Sequence, residues 1–348
     1  MSAVLAPVLT SVGPFSGPVR LDRLDALAQP LLSIRNLRVE FDNGMRHIPV
    51  LHGIDLDVHQ SEAVGIVGES GCGKSVTWLA VLGLLGPKAR ISGLIHLDQQ
   101  PIHDLADDGL APVRGKRIAM IFQDPASSLN PVHRVGQQIM EALALHRGLR
   151  GQAARSEALR LLDRVHIPSA RLRMDAYPHE LSGGMNQRVM IAMALAGEPD
   201  ILVADEPTTA LDVTIQAQIL DLLREIRRDS GMAMVLISHD LGVIAEVCDR
   251  VLVMYAGRVV EQAPTRRLFE QAQHPYTCGL LAAIPDFDTP PRRLPTIAGN
   301  VPEPGRLPSG CSFRPRCSKA RSHCAVTVPP LVVFSPNHHA ACLQEKAA

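Results

Sequence analysis

The sequence predicts an α/β fold in which a parallel-sheet core carries a helical insertion and is joined to an antiparallel sheet. Ala63–Val67 is an apolar stretch that leads into glycines and then into a helix. Ile201–Ala204 and Met234–Ile237 repeat the alternation of apolar strand and helix that parallel sheets require. Residues 131–200 show helical periodicity with few strand signals, so we expect a helical subdomain inserted into the core.

Length and composition favour one large domain with a smaller appendage. The chain has 348 residues, of which 46% are hydrophobic, enough for a substantial core. It has 35 basic and 35 acidic side chains, and the formal net charge is therefore zero. This balance gives no indication of a surface that binds nucleic acid or anionic lipid. Partner choice must therefore depend on shape.

Residues 1–30 are predicted to be a disordered or extended N-terminal segment. The apolar opening is interrupted by Pro7, Pro14 and Pro18 and lacks the basic region of a signal peptide. The apolar run Ser75–Pro87 is shorter than the ~20 residues needed to cross a bilayer. We expect a membrane process to be served from the water side.

Three stretches with alternating apolar residues predict the antiparallel sheet: Ser33–Phe41, His52–Val58 and Ser92–Asp98. Within the insertion, Gln152–Val165 and Met185–Ala196 have helical periodicity.

A hairpin is predicted at Arg250–Glu261, with its turn at Ala256–Gly257. The sequence then becomes rich in proline and cysteine, which predicts a boundary near 265–290. We therefore divide the chain into the N-terminal segment, a nucleotide-binding domain at 31–265, and a C-terminal region at 266–348.

The loop after the first apolar strand matches the phosphate-binding pattern G-x-x-x-x-G-K-[ST] without a mismatch. It consists of Gly68, Glu69, Ser70, Gly71, Cys72, Gly73, Lys74 and Ser75. Backbone N–H groups of such a loop surround the phosphates, the lysine contacts the β/γ oxygens, and the serine ligates Mg²⁺. The sequence therefore predicts a nucleotide-phosphate site, which by itself leaves many classes of NTPase open, including small GTPases and kinases of small molecules.

Two acids follow the apolar strand that begins at Ile201. A buried parallel strand delivers its last side chains to the carboxyl edge, where ligands bind. Asp205 is placed to reach Mg²⁺, and Glu206 is placed to act as general base on the attacking water.

A further motif narrows the class of ATPase. Leu181 is followed by Ser182, Gly183 and Gly184, and the segment resembles the LSGGQ signature of ABC ATPases. Ser182 lies 23 residues before Asp205, as in that family. Met185 stands where glutamine is commonest in ABC ATPases. The chain resembles peptide-importer ATPases in having methionine at this position. The resemblance implies the ABC nucleotide-binding fold, with a RecA-like core, an antiparallel β subdomain and an inserted helical subdomain.

Four more residues fall in the order of that family. Gln123 resembles the Q-loop glutamine that contacts Mg²⁺ and water, and His239 the switch histidine. Asp212 ends a segment, Ala210–Asp212, that resembles the D-loop, and Phe41 lies where the family has an adenine-stacking aromatic. Phe41 is equally consistent with a strand residue that faces the core.

The C-terminal region resembles that of ATPases from peptide and nickel importers, in His274–Thr277 and Leu280–Pro285. The implied function is ATP hydrolysis that powers import of dipeptides, oligopeptides or related substrates. The alternative is a soluble ABC ATPase that acts on nucleic acid or ribosomes. A GTPase is disfavoured because no N-K-x-D motif occurs.

The resemblance also implies partners. A second ABC ATPase subunit, a paralogue or a second copy, would complete an ATP sandwich dimer in which each P-loop faces the partner's signature. Two membrane permeases would dock on the pair, which would be peripheral to the cytoplasmic face of the membrane. A substrate-binding protein would act indirectly, and no nucleic acid would bind.

Cys311, Cys317, Cys324 and Cys342 lie close together in the sequence. Their spacing matches neither the short pairs of a zinc finger nor the common ferredoxin run, so zinc and simple buried thiols both remain open. The segment Gly310–Cys317 resembles the cysteine motif of peptide-importer ATPases. That resemblance implies a [4Fe–4S] cluster, with Zn²⁺ as the alternative.

Overall fold

A computed structural model describes residues 29–105, 107–209, 211–284 and 296–343. Nearly all of the predicted N-terminal segment lies outside these ranges, as do Ala210 of the D-loop and Pro285.

The β-strands alternate with helices along most of the chain. They are Leu32–Asp42 (β1), His47–Val58 (β2), Ala63–Val67 (β3), Ala89–Leu97 (β4), Gln100–Pro101 (β5), Ile118–Ile121 (β6), Ile201–Asp205 (β7), Ala233–Ile237 (β8), Arg250–Tyr255 (β9), Arg258–Pro264 (β10), Val332–Ser335 (β11) and His338–Ala340 (β12).

The α-helices range from single turns to five turns. They are Lys74–Val81 (α1), Asp107–Leu110 (α2), Pro125–Ser128 (α3), Val135–Arg147 (α4), Gly151–Arg164 (α5), Ala170–Arg173 (α6), Gly183–Leu195 (α7), Val213–Ser230 (α8), Leu241–Val247 (α9), Thr265–Gln271 (α10) and Pro275–Ala282 (α11). No helix among the described residues is long and apolar enough to span a bilayer.

The described strands form two sheets. A four-stranded antiparallel sheet has the order β2-β1-β4-β5, in which β1, β2 and β4 overlap the three alternating stretches of the sequence and β5 is an additional short strand. An eight-stranded sheet has the order β11-β12-β10-β9-β3-β8-β7-β6. In this sheet β9, β3, β8, β7 and β6 are parallel, so their carboxyl ends share one edge.

The eight-stranded sheet, called the central sheet from here on, separates two hydrophobic cores, because alternate residues of a strand face opposite sides. In β3, Ala63 and Val67 pack in the core that contains the helices. Val64 and Ile66 pack in the core that contains the antiparallel sheet and the buried Trp78 of α1. With both faces covered, β3 is apolar throughout.

The insertion between β6 and β7 contains only helices and turns among its described residues, which agrees with the sequence. The start of α4 is tied to the segment after α6: Gly136 N–H donates to the Met174 carbonyl at 2.8 Å, and Val135 N–H donates to the Ala176 carbonyl at 2.9 Å. These contacts hold the segment that leads from Gln123 into the insertion.

The C-terminal region adds strands to the central sheet. β12 pairs with β10 at Glu261 and Gln262, and β11 pairs with the other edge of β12. The buried Glu261 carboxylate binds His338 at 2.7 Å and accepts the backbone N–H of His274 at 2.9 Å. One buried side chain therefore joins the hairpin, β12 and the start of α11.

Candidate active site

The P-loop lies at the carboxyl end of β3 and against the end of β9. A Cβ at Gly68 would lie 2.3 Å from the Met254 carbonyl oxygen, so only glycine allows this approach. Gly257 N–H, in the β9–β10 turn, donates to the Cys72 carbonyl at 3.0 Å. The buried Lys74 Nζ donates to the Gly68 carbonyl at 2.7 Å. The P-loop thus packs against the end of β9 and the β9–β10 turn, and the Lys74 side chain folds back to the first residue of the loop.

Two predicted Mg²⁺ ligands meet beside the lysine. The Ser75 hydroxyl lies close to the Asp205 carboxylate, which is buried at the end of β7. Burial raises the pKa of Asp205, while the Ser75 hydroxyl and the Lys74 charge act in the opposite direction. A hydroxyl and a carboxylate at one point supply the oxygen ligands that Mg²⁺ prefers.

Three side chains, from the Q-loop, from the turn after β7 and from the end of β8, converge on one carboxylate oxygen of Glu206. Glu206 Oε2 accepts a hydrogen bond from Gln123 Nε2 at 3.0 Å and lies 3.4 Å from His239 Nδ1. The Thr209 hydroxyl donates to the same oxygen at 2.9 Å. Glu206 also has a left-handed backbone, with φ of 48°. The proposed general base is therefore held in a strained, fully specified position.

The signature begins helix α7. Ser182 caps that helix, accepting the Met185 N–H at 3.3 Å, and Ser182 and Gly183 are exposed. A Cβ at Gly184 would lie 2.8 Å from Ile215 Cγ2, so glycine lets α7 approach α8. In the described chain, no hydrogen bond or ion pair connects the signature to the P-loop.

Asp212 and Phe41 complete the predicted set. Asp212 caps α8 by accepting the Ile215 N–H at 3.0 Å. Phe41 is partly buried against the core of the antiparallel sheet, opposite Ile48 and Ala89. Its stacking role stays a prediction.

The four C-terminal cysteines surround one small cavity of about 20 Å³, which His274 and Phe313 also line. Burial raises the pKa of the Cys311 thiol and of the Cys317 thiol. Among the described residues, no three Cys, His, Asp or Glu side chains are arranged to hold a single metal ion.

Sequence reasoning assigned no role to three side chains near the site. Thr209 lies three residues after Glu206, where a hydroxyl can reach back to that carboxylate. Arg316 and Tyr276 both contact Glu69 of the P-loop from the C-terminal region. They lie 247 and 207 residues away, so no local pattern indicates the contacts.

Comparisons with known proteins agree with this geometry. The family described as ABC transporter matches residues 51–209. The oligopeptide transport ATP-binding protein OppD of Salmonella typhimurium is 49% identical over 317 residues, which cover 91% of this chain and 94% of that protein. The chain belongs to the ABC transporter family. OppD of Escherichia coli K12 is 48% identical over the same coverage.

Other matches assign the C-terminal region and the fold of this ABC ATPase. The family described as oligopeptide/dipeptide transporter, C-terminal region, matches residues 260–324. A dimeric structure of the ATP-binding cassette MJ0796 bound to ADP and Pi matches with a TM-score of 0.61 and 30% identity, covering 68% of this chain and 99% of that one. CbiO1 of Clostridium perfringens, part of a cbiONQ transporter complex, matches with a TM-score of 0.60 and 30% identity, covering 70% of this chain and 91% of that one. The predicted cassette fold and ATPase class are thereby confirmed.

Proposed function

We propose that this ABC ATPase powers import of peptides through a membrane transporter. The observation that carries the proposal is the convergence of Gln123, Glu206 and His239 beside a complete P-loop, in a chain whose C-terminal region matches that of oligopeptide and dipeptide transporters. Relatives named for oligopeptide transport support the substrate class.

In the proposed hydrolysis, the P-loop backbone and Lys74 bind the phosphates. Ser75 and Asp205 would hold Mg²⁺, which would neutralise charge on the phosphate oxygens. Glu206 accepts the proton of the attacking water, and Gln123 and His239 orient that carboxylate and the water. The backbone N–H groups at the N-terminus of α1 would also bind the phosphate anion.

We infer that the complete site needs a second ATPase subunit. The exposed cap of α7 has two glycines and N–H groups suited to an anion, yet nothing in the described chain links it to its own P-loop. The dimeric MJ0796 cassette supports an ATP sandwich, with Ser182 and Gly184 acting on ATP held by the partner. Asp212 would lie beside them at that interface.

The permeases would dock on the helical insertion, because the Q-loop leads directly into it. This arrangement would make the subunit peripheral to the cytoplasmic face of the membrane. The rival function, a soluble ABC ATPase that acts on nucleic acid or ribosomes, has no support from the zero net charge.

Peptide uptake tests the proposal. Cells that carry the wild-type chain should accumulate a labelled dipeptide or oligopeptide, whereas cells with Lys74→Ala should not, because the phosphate contact is lost. Uptake of a free amino acid by an unrelated carrier is the control. Equal peptide uptake in both strains, or recovery of the chain with ribosomes in place of membranes, would contradict peptide import.

We further propose that the four C-terminal cysteines bind a [4Fe–4S] cluster. They provide the four thiolates that such a cluster requires and line one cavity. At about 20 Å³ the cavity is closed around a volume smaller than a cluster, so binding would have to move the cysteine-bearing turns apart. Four cysteines match the number of ligands that a [4Fe–4S] cluster needs, and Zn²⁺ is the competing occupant.

Anaerobic purification tests the cluster. The protein should be brown, and the colour should be lost in the Cys317→Ser and Cys324→Ser double variant. Cys278→Ser is the matched control, since Cys278 is not among the four side chains that line the cavity. Colourless protein with one equivalent of zinc would replace the cluster with a zinc site.

A further inference from the structure

Glu69 of the P-loop forms hydrogen bonds to two residues of the C-terminal region, Arg316 and Tyr276. Arg316 Nη1 donates to Glu69 Oε2 at 2.6 Å, and Nη2 donates to Oε1 at 2.9 Å. The backbone N–H of Glu69 donates to the Tyr276 hydroxyl at 2.8 Å. The side chain and the main chain of one P-loop residue are therefore both held by residues outside the ATPase core.

Arg316 is also held in place by contacts with residues other than Glu69. Its Nε donates to the Ala298 carbonyl at 2.9 Å, and its guanidinium lies 5.8 Å from the Tyr255 ring centre and 5.9 Å from that of Phe313. Its side chain is only 4% exposed, whereas that of Glu69 is 32% exposed. A planar fork held on both sides suits a two-bond contact with a carboxylate.

Tyr276 is equally fixed. It is fully buried, with its ring centre 4.7 Å from that of Tyr255 and 5.4 Å from that of Phe313. The chain has only three tyrosines, and two of them lie in this cluster behind the P-loop. The Tyr276 hydroxyl accepts the Glu69 N–H, so loss of this hydroxyl would leave that donor unpaired.

The charge of Glu69 explains why the P-loop needs such a contact. The loop binds polyanionic phosphates, and a free carboxylate beside them would oppose binding by Coulomb repulsion. Arg316 neutralises that carboxylate and keeps it turned toward the C-terminal region. Neither Arg316 nor Tyr276 belongs to a nucleotide-binding motif of the sequence.

We propose that Arg316 and Tyr276 are positioning residues for ATP, through which the C-terminal region sets the affinity of the P-loop for phosphate. Arg316 ends the turn Arg314–Arg316 and directly precedes Cys317. A change in the cysteine site that displaces this turn also displaces Arg316 from Glu69. The C-terminal region thus acts on ATP binding as well as on any partner.

A charge-removal cycle on the full-length chain tests the proposal. Arg316→Gln leaves the Glu69 carboxylate unpaired, so the Kd for ATP should rise about tenfold or more. Glu69→Gln in the same chain removes the repulsion and should restore most of the lost affinity. Arg314→Gln, on the same turn but without a contact to Glu69, is the matched control and should bind ATP normally.

Tyr276→Phe provides a second, uncharged test. It keeps the ring packing but removes the acceptor of the Glu69 N–H, so affinity should fall by about three- to tenfold, with no rescue by Glu69→Gln. Thermal unfolding of every variant reports on the fold.

Two results would overturn the proposal. One is wild-type ATP affinity in Arg316→Gln. The other is weak binding in Arg316→Gln that Glu69→Gln fails to improve, because Arg316 would then only brace the Ala298 segment. Restored binding in the double variant would also show that the fold tolerates loss of the arginine.

Discussion

At the residue scale, Glu206 combines backbone strain with an unusually complete set of side-chain contacts. A non-glycine residue in the left-handed region costs on the order of 1 kcal/mol or more. The conformation is held by the Glu206 N–H bond to the Ile237 carbonyl at 2.9 Å and by the contacts of its carboxylate with Gln123 and Thr209. The left-handed backbone and these contacts together fix the carboxylate beside Gln123 and Thr209.

Glu206→Gln should keep ATP binding and slow hydrolysis by about 10²–10⁴, because the amide cannot accept the proton of water. Steady-state phosphate release and nucleotide binding are measured on the same preparation. Glu225→Gln changes an exposed acid on α8 and is the matched control. Hydrolysis at the wild-type rate would remove Glu206 from the role of general base.

Much of the candidate site could be predicted from sequence because its residues belong to local patterns. The P-loop, the acids after β7 and the Ser182 cap each occupy one strand end or helix start, and the structure places them there. The convergence of Gln123 and His239 on Glu206 follows from family order and not from any local pattern.

At the element scale, strands buried on both faces were predicted closely and sheet edges were not. β3 has the predicted bounds because five apolar residues end at the P-loop. β2 begins at His47, five residues earlier than predicted, because pairing with β1 extends through a less regular stretch. β12 pairs with β10 at only two positions, which is too short for a sequence pattern.

The helical insertion has exposed apolar side chains suited to a docking surface. Val132 is 74% exposed and Leu172 is 70% exposed. Val132 lies in the segment between α3 and α4, which connects to the Q-loop, and Leu172 lies on α6, whose following residues bond the start of α4. Large exposed apolar side chains frequently mark interaction sites.

Val132→Asp with Leu172→Asp should abolish co-purification with the permeases and peptide uptake while ATP binding persists. Leu145→Asp is the matched control, because Leu145 is also 74% exposed but lies near the far end of α4, about 15 Å along the helix from its start. Permease binding that survives the double change, or is lost equally in the control, would place docking elsewhere.

At the scale of the whole molecule, the C-terminal region is continuous with the ATPase core. It extends the central sheet through β12, and it reaches the P-loop through Arg316. The start of its helix α11 is held by Glu261 of the core. Sequence composition indicated a boundary near 265–290, and the contacts across that boundary were not predictable because their partners lie far apart in the chain. These contacts give the region a direct connection to the P-loop.

Peptide accumulation by the reconstituted transporter in sealed vesicles tests the central claim most directly. With ATP supplied to the side that carries this subunit, labelled peptide should accumulate and phosphate should be released together. With Glu206→Gln, ATP should bind while both accumulation and phosphate release fall in parallel by about 10²–10⁴. Accumulation that continues at the wild-type rate in the Glu206→Gln transporter, or with a non-hydrolysable ATP analogue, would contradict a transporter driven by hydrolysis at this site.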